Sequence, residues 1–279
     1  MKVGVVGAGT MGAGIAQTFA MSGHDVTLLD VAPPQLERGM KTIRGSLAKL
    51  EEKKKLAATA DEIAGRVTTT TEIAALTDAD FVVEAAFEDA KVKEDVFARL
   101  DGVTRKDVIL ASNTSSISID GLASRTHRAE RVAGMHFMNP VPIMQLVEVV
   151  RGPRTSDDTL HTVIELARSL GKTPIVSADR PGFIANRVLM PMINEAFRAL
   201  GENVGTAEDI DTVMTLGMNH PIGPLRLADL IGLDICVAIM EVLARDLHDD
   251  HYAPARRLRD LVKTGRLGRK SGQGVYSYS

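Results

Sequence analysis

Short apolar runs alternate with longer helical stretches along the first two thirds of the chain. The run "VGVV" (3–6) is β-branched and suits a buried strand. It passes into "GAGTMG", after which Met11, Ile15 and Phe19 recur at helical spacing until Ser22-Gly23. A second run, "DVTLLD" (25–30), ends on an acid. The alternation continues with "FVVEAAFE" (81–88) as strand and exit loop, "DVFARL" (95–100) as helix, and "DVILASNTSS" (107–116) as a strand entering a hydroxyl-rich loop. "RVAGMHF" (131–137) and "QLVEVV" (145–150) read as two further strands. "DDTLHTVIELARSLG" (157–171) reads as a capped helix closed by glycine, and "TPIVSA" (173–178) as a last strand. This pattern predicts an α/β fold with helices packed on a largely parallel sheet.

Two segments depart from the pattern. "QLERGMKTIRGSLAKLEEKKKL", a helical insert at about 35–56, is highly charged and carries Lys53, Lys54 and Lys55 in a row. It reads either as the solvated face of an inserted helical pair or as a basic arm for an anionic substrate. At "SADRPGFIANR" (177–187) the composition shifts and everything after Pro181-Gly182 is helical. The expected division is therefore 1–182 for the α/β domain and 183–279 for an all-helical C-terminal domain. "PLRLADLIGLDICVAIMEVLARDLH" is apolar around much of its circumference, and a unit of roughly 100 residues rarely buries so much alone. A homodimer through this domain is the expectation. Tyr276 and Tyr278 are candidate anchors for the glycine-rich tail.

"GAGTMG" matches GxGxxG with Gly7, Gly9 and Gly12, and here strand, glycines, helix, second strand and Asp30 follow in order. That order is a Rossmann-type dinucleotide site. Gly7 permits the tight turn, Gly9 lets a pyrophosphate approach the backbone, and Gly12 allows close helix–strand packing. Thr10 and Met11 lie between the last two glycines, where the helix N-terminus offers N–H groups to phosphate. Asp30 is placed to accept hydrogen bonds from ribose hydroxyls and to repel a 2′-phosphate. No arginine follows it in "DVAPP", so NAD is favoured over NADP.

Composition narrows the field. The chain is 44% hydrophobic and 25% charged with a net charge of -3, which argues against a general nucleic-acid binder. One cysteine, Cys236 in an apolar helical stretch, excludes a disulfide framework or a Cys-rich metal site and reads as a buried thiol. No apolar segment approaches the ~20 residues of a membrane span. "MKVGVVGAG" enters a strand at once, so no signal peptide and a cytoplasmic protein are expected.

Ligands of open α/β sheets bind at the carboxyl ends of strands. Glu88, Asn113, Ser115, His136 and Asn139 all fall at or just past such ends. In "MHFMNPVPIMQLVEVV" (135–150) His136, Asn139 and Glu148 interrupt an apolar stretch, where an unpaired ionisable group is expensive. Oxidation of a secondary alcohol by hydride transfer needs a base for the hydroxyl proton. A histidine whose second nitrogen is held by a carboxylate can serve.

Taken together, "GAGTMGAGIAQ", "ASNTSS", "GMHFMNPVPIMQLVEVV", "PGFIANRVLMPMINEA", "GPLRLADLIGLD" and "GRKSGQGVY" resemble the L-3-hydroxyacyl-CoA dehydrogenase family in its short stand-alone form, over essentially the whole chain. The resemblance implies an NAD-dependent dehydrogenase of a 3-hydroxyacyl-CoA, 3-hydroxybutyryl-CoA being the expected substrate. It implies His136 as catalytic histidine in HFxNP, Glu148 as its partner, Ser115 at the reacting oxygen, and Asn186 of PGFxxNR. Cofactor contacts carried over are Asp30, Glu88, Lys93, Asn113, Ser115, Asn139 and Lys270. Lys49 and Lys53 join Ser115 and Asn186 as candidate CoA contacts, and no metal is implied. The motif here reads HFMNP where HFFNP is common, and Gln145 stands where lysine is frequent, which alters a local charge contact. The alternatives are a gulonate-type dehydrogenase of a free sugar acid and a crystallin-like protein without catalysis.

Overall fold

The apolar runs of the N-terminal half become neighbouring strands of one sheet. In chain order they are β1 (Lys2–Val6), α1 (Thr10–Met21), β2 (Asp25–Leu29), α2 (Pro33–Glu52), α3 (Ala60–Gly65), β3 (Val67–Thr70), β4 (Phe81–Glu84), α4 (Ala90–Val103), β5 (Ile109–Ser112), α5 (Ile119–Ala123), β6 (Val132–Phe137), β7 (Leu146–Arg151), α6 (Asp157–Ser169) and β8 (Thr173–Ala178). The computed structural model describes residues 1–278. The sheet runs β3-β2-β1-β4-β5-β6-β7-β8. Strands β1 to β6 pair in parallel, β6 and β7 pair antiparallel, and β7 and β8 pair in parallel. The reversal at β7 has a simple cause. Residues 138–145 are too few for a parallel crossover, which needs about a dozen or more.

Strand order reverses direction between β1 and β4, so the crevice beyond their carboxyl ends is the ligand position of such sheets. Val5, Leu28, Val83 and Ala111 fill one core with Ile15 and Phe19 of α1. Strand β3 escaped the sequence reading because only Val67 of "VTTT" is buried. It carries the outer edge of the sheet and shows no apolar run.

The charged insert differs from expectation at both ends. Helix α2 starts with Pro33 in its first turn, where a missing N–H costs nothing, and stops at Glu52. Lys53 caps it and Lys54 turns the chain with φ +53°, so the lysine run lies off the helix instead of continuing to Leu56. A Thr59–Glu62 capping box then opens α3. Leu36, Ile43 and Leu47 of α2 join the core of the sheet with Ile63, so this pair is integral to the α/β unit.

The chain divides into units Met1–Arg180 and Pro181 onward, two residues ahead of the expected break. The shift has a local reason: the Gly182 carbonyl accepts the N–H groups of Asn186 and Arg187 and so already belongs to the next helix. That unit comprises α7 (Ala185–Gly201), α8 (Ala207–Thr212), a π-helical turn at Val213–Gly217, α9 (Pro224–Ile231), α10 (Leu233–Leu247) and α11 (Arg256–Lys263). Met190, Ile193, Phe197, Leu225, Met240, Leu243 and Leu258 form its own core. Cys236 is wholly buried there, and burial pushes its thiol up to about 12.

The tail is tied to two buried aspartates. Asp229 accepts from the N–H groups of Val275 and Tyr276 and from the Tyr278 hydroxyl, and Asp211 accepts from the Tyr276 hydroxyl at 2.8 Å. Among the described residues no helix is long and apolar enough to cross a membrane.

Candidate active site

The glycine loop joins β1 to α1, and each glycine meets a different neighbour. Gly7 has φ +101°, and a Cβ there would lie 2.5 Å from the Ala85 carbonyl oxygen. A Cβ at Gly12 would lie 1.7 Å from the Gly7 carbonyl oxygen. Gly9 is different. Its φ is -68°, open to any residue, and the nearest atom to a built Cβ is Gln35 Nε2 at 4.0 Å. Among the described residues nothing requires glycine at position 9. A group approaching the backbone from outside does, and the N-terminus of α1 with exposed Thr10 and half-buried Met11 adds N–H donors for phosphate. The loop fits the pyrophosphate of NAD.

Asp30 follows β2 and faces the same loop. One carboxylate oxygen accepts from the Ala8 N–H at 2.8 Å and the other from the Ala32 N–H at 3.0 Å. The acid that ends the second strand therefore also holds the loop in shape. A carboxylate offers about four lone-pair sites, so these two bonds leave room for ribose hydroxyls.

Beyond β4 and β5 a buried ionic network supports the hydroxyl-rich loop. Glu84 and Ser112 are register partners on these strands and bond at 2.6 Å. Lys93, from α4, is 1% exposed and lies 2.6 Å from Glu84 and 3.2 Å from Glu88. Its third N–H reaches the Ala86 carbonyl at 3.2 Å. The resemblance implies a cofactor contact for Lys93; the structure shows its three N–H groups engaged beneath the loop. Glu88 in turn accepts from the Thr114 hydroxyl at 2.6 Å, from the Ser115 N–H at 2.8 Å and from the Ser115 hydroxyl at 3.2 Å.

The two carboxylates titrate in opposite directions. Desolvation dominates at Glu84, pushing it up despite Lys93. At Glu88 desolvation also pushes up, but the Lys93 ammonium and the bonds from Thr114 and Ser115 outweigh it. Its carboxyl therefore sits below the usual range and is charged at neutral pH. The strand-end pattern of the sequence points to Glu88 but not to Glu84 or Thr114. An acid inside the buried run "FVVE" was the available signal.

His136 and Glu148 are direct partners in the antiparallel β6–β7 register, which places both side chains on one face. His136 Nδ1 lies 3.0 Å from a Glu148 carboxylate oxygen, with the residues 8% and 0% exposed. A carboxylate accepting from Nδ1–H would fix the ring's tautomer and orientation.

The remaining candidates divide by position. The Asn113 side-chain oxygen accepts from the Phe137 N–H at 2.9 Å, tying the end of β5 to the end of β6. Asn139 is exposed just past β6, in the connection to β7. Lys49 is exposed near the end of α2 and Lys53 at its C-cap. Asn186 and Lys270 belong to the helical unit. Asn186 is buried in the first turn of α7, and Lys270 pairs with Asp234 at 2.6 Å.

Sheet order, glycine loop and Asp30 together define an NAD-dependent oxidoreductase, and comparison with known proteins agrees. The NAD binding domain of 3-hydroxyacyl-CoA dehydrogenase matches residues 2–180, and the C-terminal domain of that enzyme matches residues 182–278. The chain belongs to the 3-hydroxyacyl-CoA dehydrogenase family. It is 53% identical over 278 residues to a probable 3-hydroxybutyryl-CoA dehydrogenase of Deinococcus radiodurans, with 100% of each chain covered. It is 47% identical over 280 residues to 3-hydroxybutyryl-CoA dehydrogenase of Clostridioides difficile, again with 100% of each covered. The crystal structure of (S)-3-hydroxybutyryl-CoA dehydrogenase from Ralstonia eutropha superposes with a TM-score of 0.96 at 49% identity. That match covers 100% of this chain and 99% of that one.

The glycines give a paired prediction. Gly9→Ala meets open space and should keep the melting temperature within about 3 °C while raising the NADH dissociation constant at least tenfold, about 1.4 kcal/mol. Gly12→Ala drives a methyl into the Gly7 carbonyl and should unfold or strongly destabilise the α/β unit. Thermal melts and NADH fluorescence titration measure both. Tight NADH binding by Gly9→Ala would show that nothing approaches position 9.

Proposed function

We propose that this enzyme interconverts (S)-3-hydroxybutyryl-CoA and acetoacetyl-CoA. The observation that carries the reading is the buried 3.0 Å contact between His136 and Glu148 within an NAD-binding unit. The names of the relatives supply the acyl group. Bound NAD would supply the acceptor for the hydride that leaves C3 of the hydroxyacyl thioester. His136 Nε2 takes the hydroxyl proton and returns it in the reverse direction. Glu148 holds Nδ1–H, which fixes the tautomer and stabilises the imidazolium that forms. The Ser115 hydroxyl hydrogen-bonds the reacting oxygen, and Glu88, Asn113 and Asn139 with Asp30 and the glycine loop hold the cofactor. Lys93 acts from beneath by keeping Glu88 charged and placed.

His136→Ala should lower kcat by roughly 10²–10⁴-fold with little change in NADH affinity. Glu148→Gln keeps volume, removes charge and should also lower kcat; an unaltered rate would make the carboxylate structural. Acetoacetyl-CoA with NADH should be turned over efficiently and free hydroxy acids with NAD should not. Turnover of free acids alone would point to the gulonate-type reading, and no turnover of either to a crystallin-like protein.

The phosphates of CoA need a local cation in a protein of net charge -3. Lys49 and Lys53, with Lys54 and Lys55, offer exposed ammoniums at the end of α2. Replacing the four by glutamine should raise KM for acetoacetyl-CoA, more so at low salt, and leave KM for NADH unchanged. An unaltered acyl-CoA KM would return the run to a solvated face.

The helical unit exposes Val213 (57%), Leu216 (83%) and Met218 (61%) in and just after the π-helical turn, and Val204 (74%) between α7 and α8. A patch of this kind suits a homodimer contact. Light scattering should give the dimer mass for the parent and a monomer for Leu216→Asp; a monomeric parent would overturn this assignment.

A further inference from the structure

His136 and Glu148 meet only while β6 and β7 keep their register, since a one-residue slip turns one of them to the other face. The strands are joined by residues 138–145, a connection without helix or strand. Its own backbone supplies a single turn, in which the Pro140 carbonyl accepts from the N–H groups of Ile143 and Met144. Two outside contacts fix it. Val141, 2% exposed, packs on Gly14 of α1, where a Cβ would stand 2.9 Å from the valine Cβ. The second contact is Lys172.

Lys172 lies between α6 and β8 and is 8% exposed. Its ammonium donates to the Val141 carbonyl at 2.6 Å and to the Met144 carbonyl at 2.8 Å. The next residue continues the grip, with the Thr173 N–H on the Gln145 carbonyl at 2.7 Å. No carboxylate balances this cation among the described residues, and burial alone holds its pKa below the ordinary lysine value. A buried charge without a counter-ion costs more than an apolar residue of similar volume. What an apolar residue could not supply is a donor to two carbonyls three residues apart.

We propose that Lys172 is a positioning residue for the acid–base pair. Its ammonium clamps the 138–145 connection and thereby sets where His136 stands at the end of β6. The proposal rests on the reading of His136 as the proton acceptor. Misplacement by about 1 Å can cost as much as 100-fold in rate, so a loosened connection should show in kcat before it shows in substrate affinity.

The test is steady-state kinetics per folded enzyme for Lys172→Met, Lys172→Gln and Lys172→Arg. Lys172→Met should lower kcat about tenfold with KM for acetoacetyl-CoA within about twofold of the parent. Lys172→Arg, which still offers two N–H donors, should recover at least threefold of that loss. In a His136→Ala background Lys172→Met should cost less than about twofold more, because the residue it positions is gone. If Lys172→Met does not fold, Lys172→Gln with one donor amide should still run at least threefold below Lys172→Arg. A kcat per folded enzyme within twofold of the parent in both Lys172→Met and Lys172→Gln, whatever the melting temperature, would overturn the proposal. So would a full tenfold further loss in the His136→Ala background. If His136→Ala itself leaves kcat unchanged, the acid–base reading fails, whichever way the Lys172 variants behave.

Discussion

The antiparallel pairing of β6 with β7 is the constraint on which the proposed chemistry depends. Twelve positions separate His136 from Glu148 in the chain, yet pairing makes them opposite neighbours, buried and 3.0 Å apart. A carboxylate beside one ring nitrogen fixes which nitrogen faces the reaction. The short connection forces this reversal, in a sheet whose first six strands all run the same way. Among the described residues the one break in the parallel pattern is thus the place where His136 meets Glu148.

The other strand ends carry support of a different kind. Beyond β1 the backbone does the work, through glycines that admit a close approach and a helix terminus that favours negative charge. Beyond β4 and β5 the work is ionic. Glu84, Lys93 and Glu88 form a line from the sheet interior to the hydroxyl-rich loop, and Glu88 grips Ser115 through both backbone and side chain. Asn113 then bonds the backbone at Phe137, joining this loop to the strand that carries His136. Hydroxyl loop and histidine strand are therefore one connected structure. The 138–145 connection and Lys172 close it from the far side.

Local patterning determined a good deal. A β-branched run, three glycines at fixed spacing and an acid ending the next run specify a dinucleotide site, because each has a steric or electrostatic task that other residues cannot perform. Polar residues stranded in apolar runs identified His136 and Glu148, since burial of an ionisable group demands a partner. Edge strand β3 was illegible because an edge exposes most of its side chains and shows no run. Helix propensity persists through the lysines, while a left-handed turn at Lys54 leaves them off α2. Tertiary structure alone decided that Lys93 lies beneath Glu88, that Glu84 pairs with Lys93 from the sheet, and that Lys172 reaches two carbonyls of the connection. Those contacts join residues far apart in the chain or on separate elements. Their partners are carbonyls and carboxylates whose direction is set only when strands pair and helices pack, so no local pattern in the sequence records them.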